Sequence, residues 1–291
     1  MPSLRQIRGR LRSISSTKQI MRAMQLVSGS KLKRAQTRLV QARALLEFLD
    51  GLLERVLAAA PNLTHPLIAG QSDAPSALVI FTSDTGLAGS YNANLIQLAE
   101  AHLRRDSAKP TEIIYVGKKG HRYFTKRGYA SAEAYLDLAG RPDLKKAEEI
   151  GRALMARFLS KRVGSVQLLY SRFLSATTYR PTLRPWLPIT LKNEPRATSH
   201  ERRIGSDEYI FEPSAQAVFE DLLPRWTLAT FQLVMLEAFT SEHSARMIAM
   251  KNATDNAEEI LRTLTTLRNK IRQAAITKEI SEIVGTAEAL K

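Results

Sequence analysis

The sequence predicts an α/β fold: a long antiparallel coiled coil of N- and C-terminal helices, with a central Rossmann-like α/β lobe between them. Three observations carry that prediction. An apolar stripe in steps of three or four runs through the first sixty residues, another runs through the last sixty, and strand-like and helix-like patches alternate between them.

The N-terminal stripe comprises Leu4, Ile7, Leu11, Ile14, Met21, Met24, Leu32, Ala35, Leu39, Ala42, Leu46, Leu49, Leu53 and Val56, with gaps near Thr17 and Ser28. It makes an amphipathic helix of roughly 80 Å at ~1.5 Å per residue. The C-terminal stripe comprises Leu228, Phe231, Met235, Ala238, Ala245, Ala249, Ala253, Ala257, Ile260, Leu264, Leu267, Ile271 and Ala274. It gives a helix of about 85 Å at the same rise. A single narrow seam does not hold so long a helix in water, so the economical arrangement closes the two seams on each other. Antiparallel pairing is expected, with the middle segment as a lobe at one end of the rod. The expected divisions are a coiled-coil helix over 1–60, an α/β lobe over 61–207, and a short helix followed by the second coiled-coil helix over 208–291, interrupted at Pro224.

Within the middle segment, Ala77-Leu78-Val79-Ile80-Phe81-Thr82 is a continuous apolar run between Pro75 and Asp84, as in a buried parallel strand. A helix over about 92–105 and a strand over 112–116 follow, then helical patterns over 118–127 and 144–161 and a strand over 166–170. Alternation of this kind implies βαβ units on a parallel sheet. After Phe173 the chain turns rich in Thr, Pro and Arg, and Pro181, Pro185, Pro188 and Pro195 leave room only for an edge strand or loop.

Charge sets the next constraint. Residues 1–46 hold eleven Lys or Arg and no Asp or Glu, so they carry +11 of the formal net charge of +15. Arg5, Arg8, Arg10 and Arg12 sit where a helix dipole mildly disfavours cations, so something outside the helix must favour them. A solvated face, a nucleic-acid backbone, an anionic membrane surface and acidic loops of a protein partner all fit, and charge alone does not choose. A basic coiled-coil nucleic-acid-binding protein is therefore the alternative functional reading. The absence of Cys excludes disulfides, Cys-based zinc sites and thiol catalysis. The longest uncharged stretch, 56–72, is broken by Pro61 and Pro66, so no membrane span is expected.

Few features invite chemistry. The run Ser83-Asp84-Thr85-Gly86-Leu87-Ala88-Gly89-Ser90-Tyr91-Asn92 lies between a strand and a helix, where phosphate loops occur, but it has neither GxGxxG nor a GK[ST] ending. The five His, at 65, 102, 121, 200 and 243, include no i, i+4 pair. No catalytic constellation, cofactor site or metal site is expected. Met21, Met24, Met235, Met247 and Met250 are read as seam packing.

Three segments and a fourth beyond them carry a resemblance. Thr17-Lys18-Gln19-Ile20-Met21-Arg22-Ala23-Met24-Gln25-Leu26-Val27-Ser28-Gly29-Ser30-Lys31-Leu32, the 83–92 run, Ala245-Arg246-Met247-Ile248-Ala249-Met250-Lys251-Asn252-Ala253-Thr254-Asp255-Asn256-Ala257, and the stretch 272–285 resemble hallmark segments of the gamma subunit of F-type ATP synthases, in order, spacing and total length. The resemblance implies a rotary shaft: terminal helices inside a hexamer of alpha and beta subunits, and a lobe that joins the epsilon subunit and stands on the membrane ring of c subunits. It implies no catalytic site, no cofactor, no nucleic acid as partner, and membrane association only through the c ring. Carried over by position, Met24, Lys31, Glu242, Arg246, Gln273 and Thr277 match stator-contacting residues, and Tyr209 and Phe211 match positions near the c ring and epsilon. The chain departs from the pattern at Thr85, where the family usually has Arg or Lys, at Ala88 in place of a frequent Cys, and at Lys278 and Thr286. No transit segment is read at the N-terminus, which points to the cytoplasmic face of a bacterial plasma membrane.

Overall fold

A computed structural model of the chain describes residues 3–69, 74–105, 110–138, 143–190 and 211–289. The elements in order are α1 (Leu4–Ala59), β1 (Ser76–Phe81), α2 (Tyr91–Arg105), β2 (Thr111–Val116), α3 (Lys118–Thr125), β3 (Ser131–Tyr135), α4 (Leu144–Leu159), β4 (Ser165–Phe173), β5 (Tyr179–Leu187) and α5 (Ala215–Ala289). They divide into two compact units, Met1–Ser30 with Arg246–Lys291, and Lys31–Ala245. The division cuts across both long helices instead of falling at their ends, where the sequence placed its boundaries.

Local chemistry explains where the long helices begin and end. Ser3 and Gln6 bond reciprocally, side chain to backbone N–H, which satisfies two of the orphan donors at the start of α1. The helix stops just ahead of Pro61, since the residue before proline is driven out of the helical region. Ser214 Oγ accepts from the Ala217 N–H at the start of α5. Contrary to the sequence reading, Pro224 does not interrupt α5, which runs as one helix from Ala215. Proline leaves the carbonyl four residues earlier without its helical donor, and Glu220 is exposed, so water can satisfy that group.

The unit formed by 31–245 is built on a five-stranded sheet of order β3-β2-β1-β4-β5. The first four strands are parallel and β5 pairs antiparallel with β4 at the edge. Period-two alternation sends Ala77, Val79 and Phe81 of β1 to one face and Leu78 and Ile80 to the other. On the first face, α4, the end of α1 and the beginning of α5 complete the core, with Phe231 against Phe81 and Trp186 at 5.9 and 5.2 Å between ring centroids. The second face is closed by α2 and α3, with Ala245 of α5. Gly151 of α4 lets the helices approach closely here, since a Cβ would lie 2.9 Å from Leu228 Cδ2 and would make that side chain shift. From Thr227 to Arg246 almost every residue of α5 is buried, so no amphipathic stripe survives there.

Candidate functional site

In the unit made of the first residues of α1 and the last of α5, the two helices form a seam. Ile7 and Ser28 are buried and Leu4, Leu11, Ile14, Met21 and Met24 half-buried, on the one face that the apolar spacing picked out. Met250, Thr254 and Ala257 are buried on the facing helix. The pairing is antiparallel: Lys18 Nζ lies 3.0 Å from Glu258 Oε2, whereas Gly29, further along α1, packs against Met247, earlier on α5. Of the gaps in the α1 stripe, the one near Thr17 lies beside the Lys18–Glu258 ion pair, and Ser28 is itself buried. Hydrogen bonds from Lys18 and Arg262 hold the Glu258 carboxyl below the usual carboxylate range.

The α5 seam differs from its sequence reading in two places. Ile260 and Leu267 are exposed, and Leu261, Leu264, Thr265 and Arg268 turn toward the seam instead. Steps of three-then-four and four-then-three are equally regular where Ile260 and Leu261 are both apolar, and only the facing helix decides between them. Beyond Ile271 every residue of α5 through Thr286 is exposed, including Ile276, Ile280, Ile283 and Val284, which share one side of the helix at steps of four, three and one.

The residues expected to touch a stator fall in both units. Met24 is half-buried on the seam and Gln273 and Thr277 are exposed on the bare end of α5, where the Thr277 hydroxyl donates to the Gln273 carbonyl at 3.0 Å. Arg246, in the same unit, is only 7% exposed. In the other unit Lys31 is exposed, whereas Glu242 is 2% exposed within a polar belt on α5. In that belt Ser241 donates to the Ser171 carbonyl at 2.9 Å and Ser244 to the Ala176 carbonyl at 2.6 Å. Close by, Glu237 receives Arg43 at 2.7 Å, and Arg43 also donates to the Phe173 carbonyl. Phe211 is half-buried against the first core cluster, and Tyr209 lies outside the described residues.

The 83–92 loop sits at the carboxyl end of β1. Ser83 and Asn92 tie its two ends together through three side-chain bonds, and Ala88 and Tyr91 are buried beneath it. Asp84 Oδ1 accepts from the backbone N–H of Lys118, at the start of α3, at 3.0 Å, and from that of Asp137 at 3.3 Å. Lys118 also pairs with the Asp137 carboxylate. A carboxylate of the chain itself thus stands where a helix N-terminus would draw a phosphate. Sequence reasoning missed this role of Asp84; the signal was an Asp just past a strand end, facing a second Gly-containing strand-to-helix turn at Gly117. At that turn φ is +104°, and a Cβ would lie 2.0 Å from the Thr82 carbonyl oxygen. Among the described residues no group of three or more His, Cys, Asp or Glu is placed to hold a metal ion, and no helix is long and apolar enough to cross a membrane.

The family model described as ATP synthase matches residues 3–290. The chain is 40% identical to the ATP synthase gamma chain of Moorella thermoacetica and 41% identical to that of Desulforamulus reducens, over the full length of both partners in each case. This chain belongs to the ATP synthase gamma chain family. Solved structures extend the likeness of fold to more distant chains. A chain of the Euglena gracilis mitochondrial ATP synthase, in a structure of OSCP, F1 and c-ring, superposes with a TM-score of 0.66 at 19% identity, covering 99% of this chain and 94% of that one. A chain of the Tetrahymena thermophila mitochondrial ATP synthase central stalk and c-ring gives 0.60 at 19% identity, covering 80% and 99%. As a gamma chain, the protein has its characteristic long helices in α1 and α5 and its α/β lobe in the five-stranded unit.

Proposed function

We propose that this chain is the central rotor shaft of a bacterial F-type ATP synthase, coupling ion flow through a c ring to ATP synthesis or hydrolysis at an alpha/beta hexamer by rotation. The observation that carries the reading is identity of about 40% to curated gamma chains from end to end. The physical features agree with it. A helix of the α5 type, exposed on all sides from 272 to 286 with four apolar residues on one side, is marginal alone in water and fits a sleeve supplied by other subunits. The cationic face of α1 fits acidic loops of such subunits, and individually weak exposed ion pairs, worth about 0–1 kcal/mol each, suit a contact remade at every step of a rotation. Nothing among the described residues favours the nucleic-acid alternative.

In this reading Met24, Lys31, Gln273 and Thr277 offer side chains to the stator. Glu242 and Arg246, being buried, act there chiefly by fixing the surface above them. Phe211, with Tyr209, belongs to the region that meets epsilon and the c ring. The chain itself performs no bond chemistry and holds no cofactor, and it is peripheral to the cytoplasmic face of the plasma membrane through the ring. The test is to tag the chain in its native cell, purify it gently from membranes, and identify its companions. Two heavier subunits in threefold excess with ATPase activity are the expected result; nucleic acid, or the chain alone, overturns the reading.

A further inference from the structure

Between Thr227 and Ala245 every residue of α5 except Gln232 is buried, so apolar burial does not distinguish one rotation of this helix about its axis, or one slide along it, from the next. Directional bonds set its register instead. The Trp186 indole donates to the Thr227 carbonyl at 3.2 Å and the Tyr91 hydroxyl to the Ala238 carbonyl at 3.0 Å, while Ser241 and Ser244 donate to the Ser171 and Ala176 carbonyls. These bonds fix α5 against the sheet, α2 and the turn between β4 and β5. Two more join it to α1: the Trp226 indole donates to Asp50 Oδ1 at 2.6 Å, and Arg43 Nη2 donates to Glu237 Oε1 at 2.7 Å.

The Arg43–Glu237 pair has properties that packing alone does not call for. The Glu237 side chain is 6% exposed, so its charge is held out of water, and well-packed apolar residues of similar volume would stabilise the fold as well or better. Arg43 Nη2 also donates to the Phe173 carbonyl at 3.0 Å, so one guanidinium ties α1, α5 and the last residue of β4 together at a single point. These bonds are charge-assisted and directional, so they hold the two helices at one rotation and one axial offset. Apolar side chains packed on one another leave both free to slip.

We infer that Arg43 is a positioning residue for rotary coupling: its bonds to Glu237 and Phe173 lock α1, α5 and the sheet into a single torsional body. The inference rests on the shaft reading, because a shaft passes on a turn only if its two helices and its lobe rotate together. Arg43→Met/Glu237→Met separates coupling from stability, since it replaces the pair by apolar side chains of similar length. The measurement is made on the whole ATP synthase in sealed vesicles, as ATP hydrolysis and as ion uptake against an imposed gradient, with urea unfolding of the full-length chain alongside. The double variant is expected to unfold no earlier than wild type and to hydrolyse ATP within about twofold of its rate, while the ions moved per ATP fall by roughly threefold or more. Arg43→Met alone is expected to lose coupling and stability together, because it leaves the buried Glu237 carboxylate without its partner. A wild-type ratio of ions to ATP in the double variant, or hydrolysis and uptake that fall in step, assigns the pair to packing alone and overturns the inference. Wild-type enzyme that hydrolyses ATP without moving ions overturns the shaft reading, and the inference with it.

Discussion

At the residue scale the sharpest constraint is at Gly117. Its left-handed backbone and the Thr82 carbonyl 2.0 Å from where a Cβ would stand leave no room for any side chain. Gly117→Ala is expected to lose more than about 3 kcal/mol of stability, or to fail to fold, as read by urea unfolding. Leu87 gives the opposite case. It holds φ at 64° in the 83–92 loop with its side chain 60% exposed, so little packing offsets the strain. Leu87→Asn is expected to leave the unfolding midpoint unchanged or raise stability by up to about 1 kcal/mol; a loss above about 1 kcal/mol in the isolated chain would assign Leu87 a packing role instead. Neither constraint was legible beforehand, since Gly117 and Leu87 show their conformations only once β2 and the loop meet. The Gly-rich run was visible as a turn, but the carboxylate of Asp84 at the start of α3 was not.

At the scale of elements, the helices were the most readable part of the sequence because their periodicity repeats over many turns. The seam of α1 follows its apolar stripe almost residue for residue, whereas that of α5 leaves Ile260 and Leu267 exposed and takes up Leu261 and Arg268, the residues that follow them. β3 escaped notice because Ser131-Ala132-Glu133-Ala134-Tyr135 has too little apolar character, and β5 was foreseen only as an edge strand or loop because of its prolines. The Lys18–Glu258 pair supplies the test at this scale. The carboxyl of Glu258 is depressed when folded, so its contribution is present at neutral pH, above the unfolded value, and is lost as pH falls through the folded value. On acidification the helical signal of the wild-type chain is expected to lose midpoint stability more steeply than that of Glu258→Gln. Parallel pH profiles would remove this pair from the seam's stability.

At the scale of the whole molecule, function resides in surfaces that only an assembly completes, which is why neither the charge of α1 nor its stripe could name a partner. Met24 is half-buried on the seam and beside cationic α1 surface. Met24→Lys is expected to keep the isolated chain folded, with a midpoint within about 1 kcal/mol, while lowering ATP-driven ion pumping by the reconstituted enzyme. Unchanged pumping would exclude Met24 from coupling. The buried stretch of α5 has a consequence for how such a chain is made. Phe219, Leu223, Phe231 and Met235 complete the same core as Leu53 and Val56 of α1 and the sheet residues between. The strands of the middle segment thus leave the ribosome before the helix that covers them exists, and their most distant contacts close last. A nascent chain stopped before residue 219 carries an open sheet face that chaperones and proteases recognise. Translation to near the end is therefore a checkpoint in itself, and only nearly complete chains acquire a closed core before they are drawn into a larger machine.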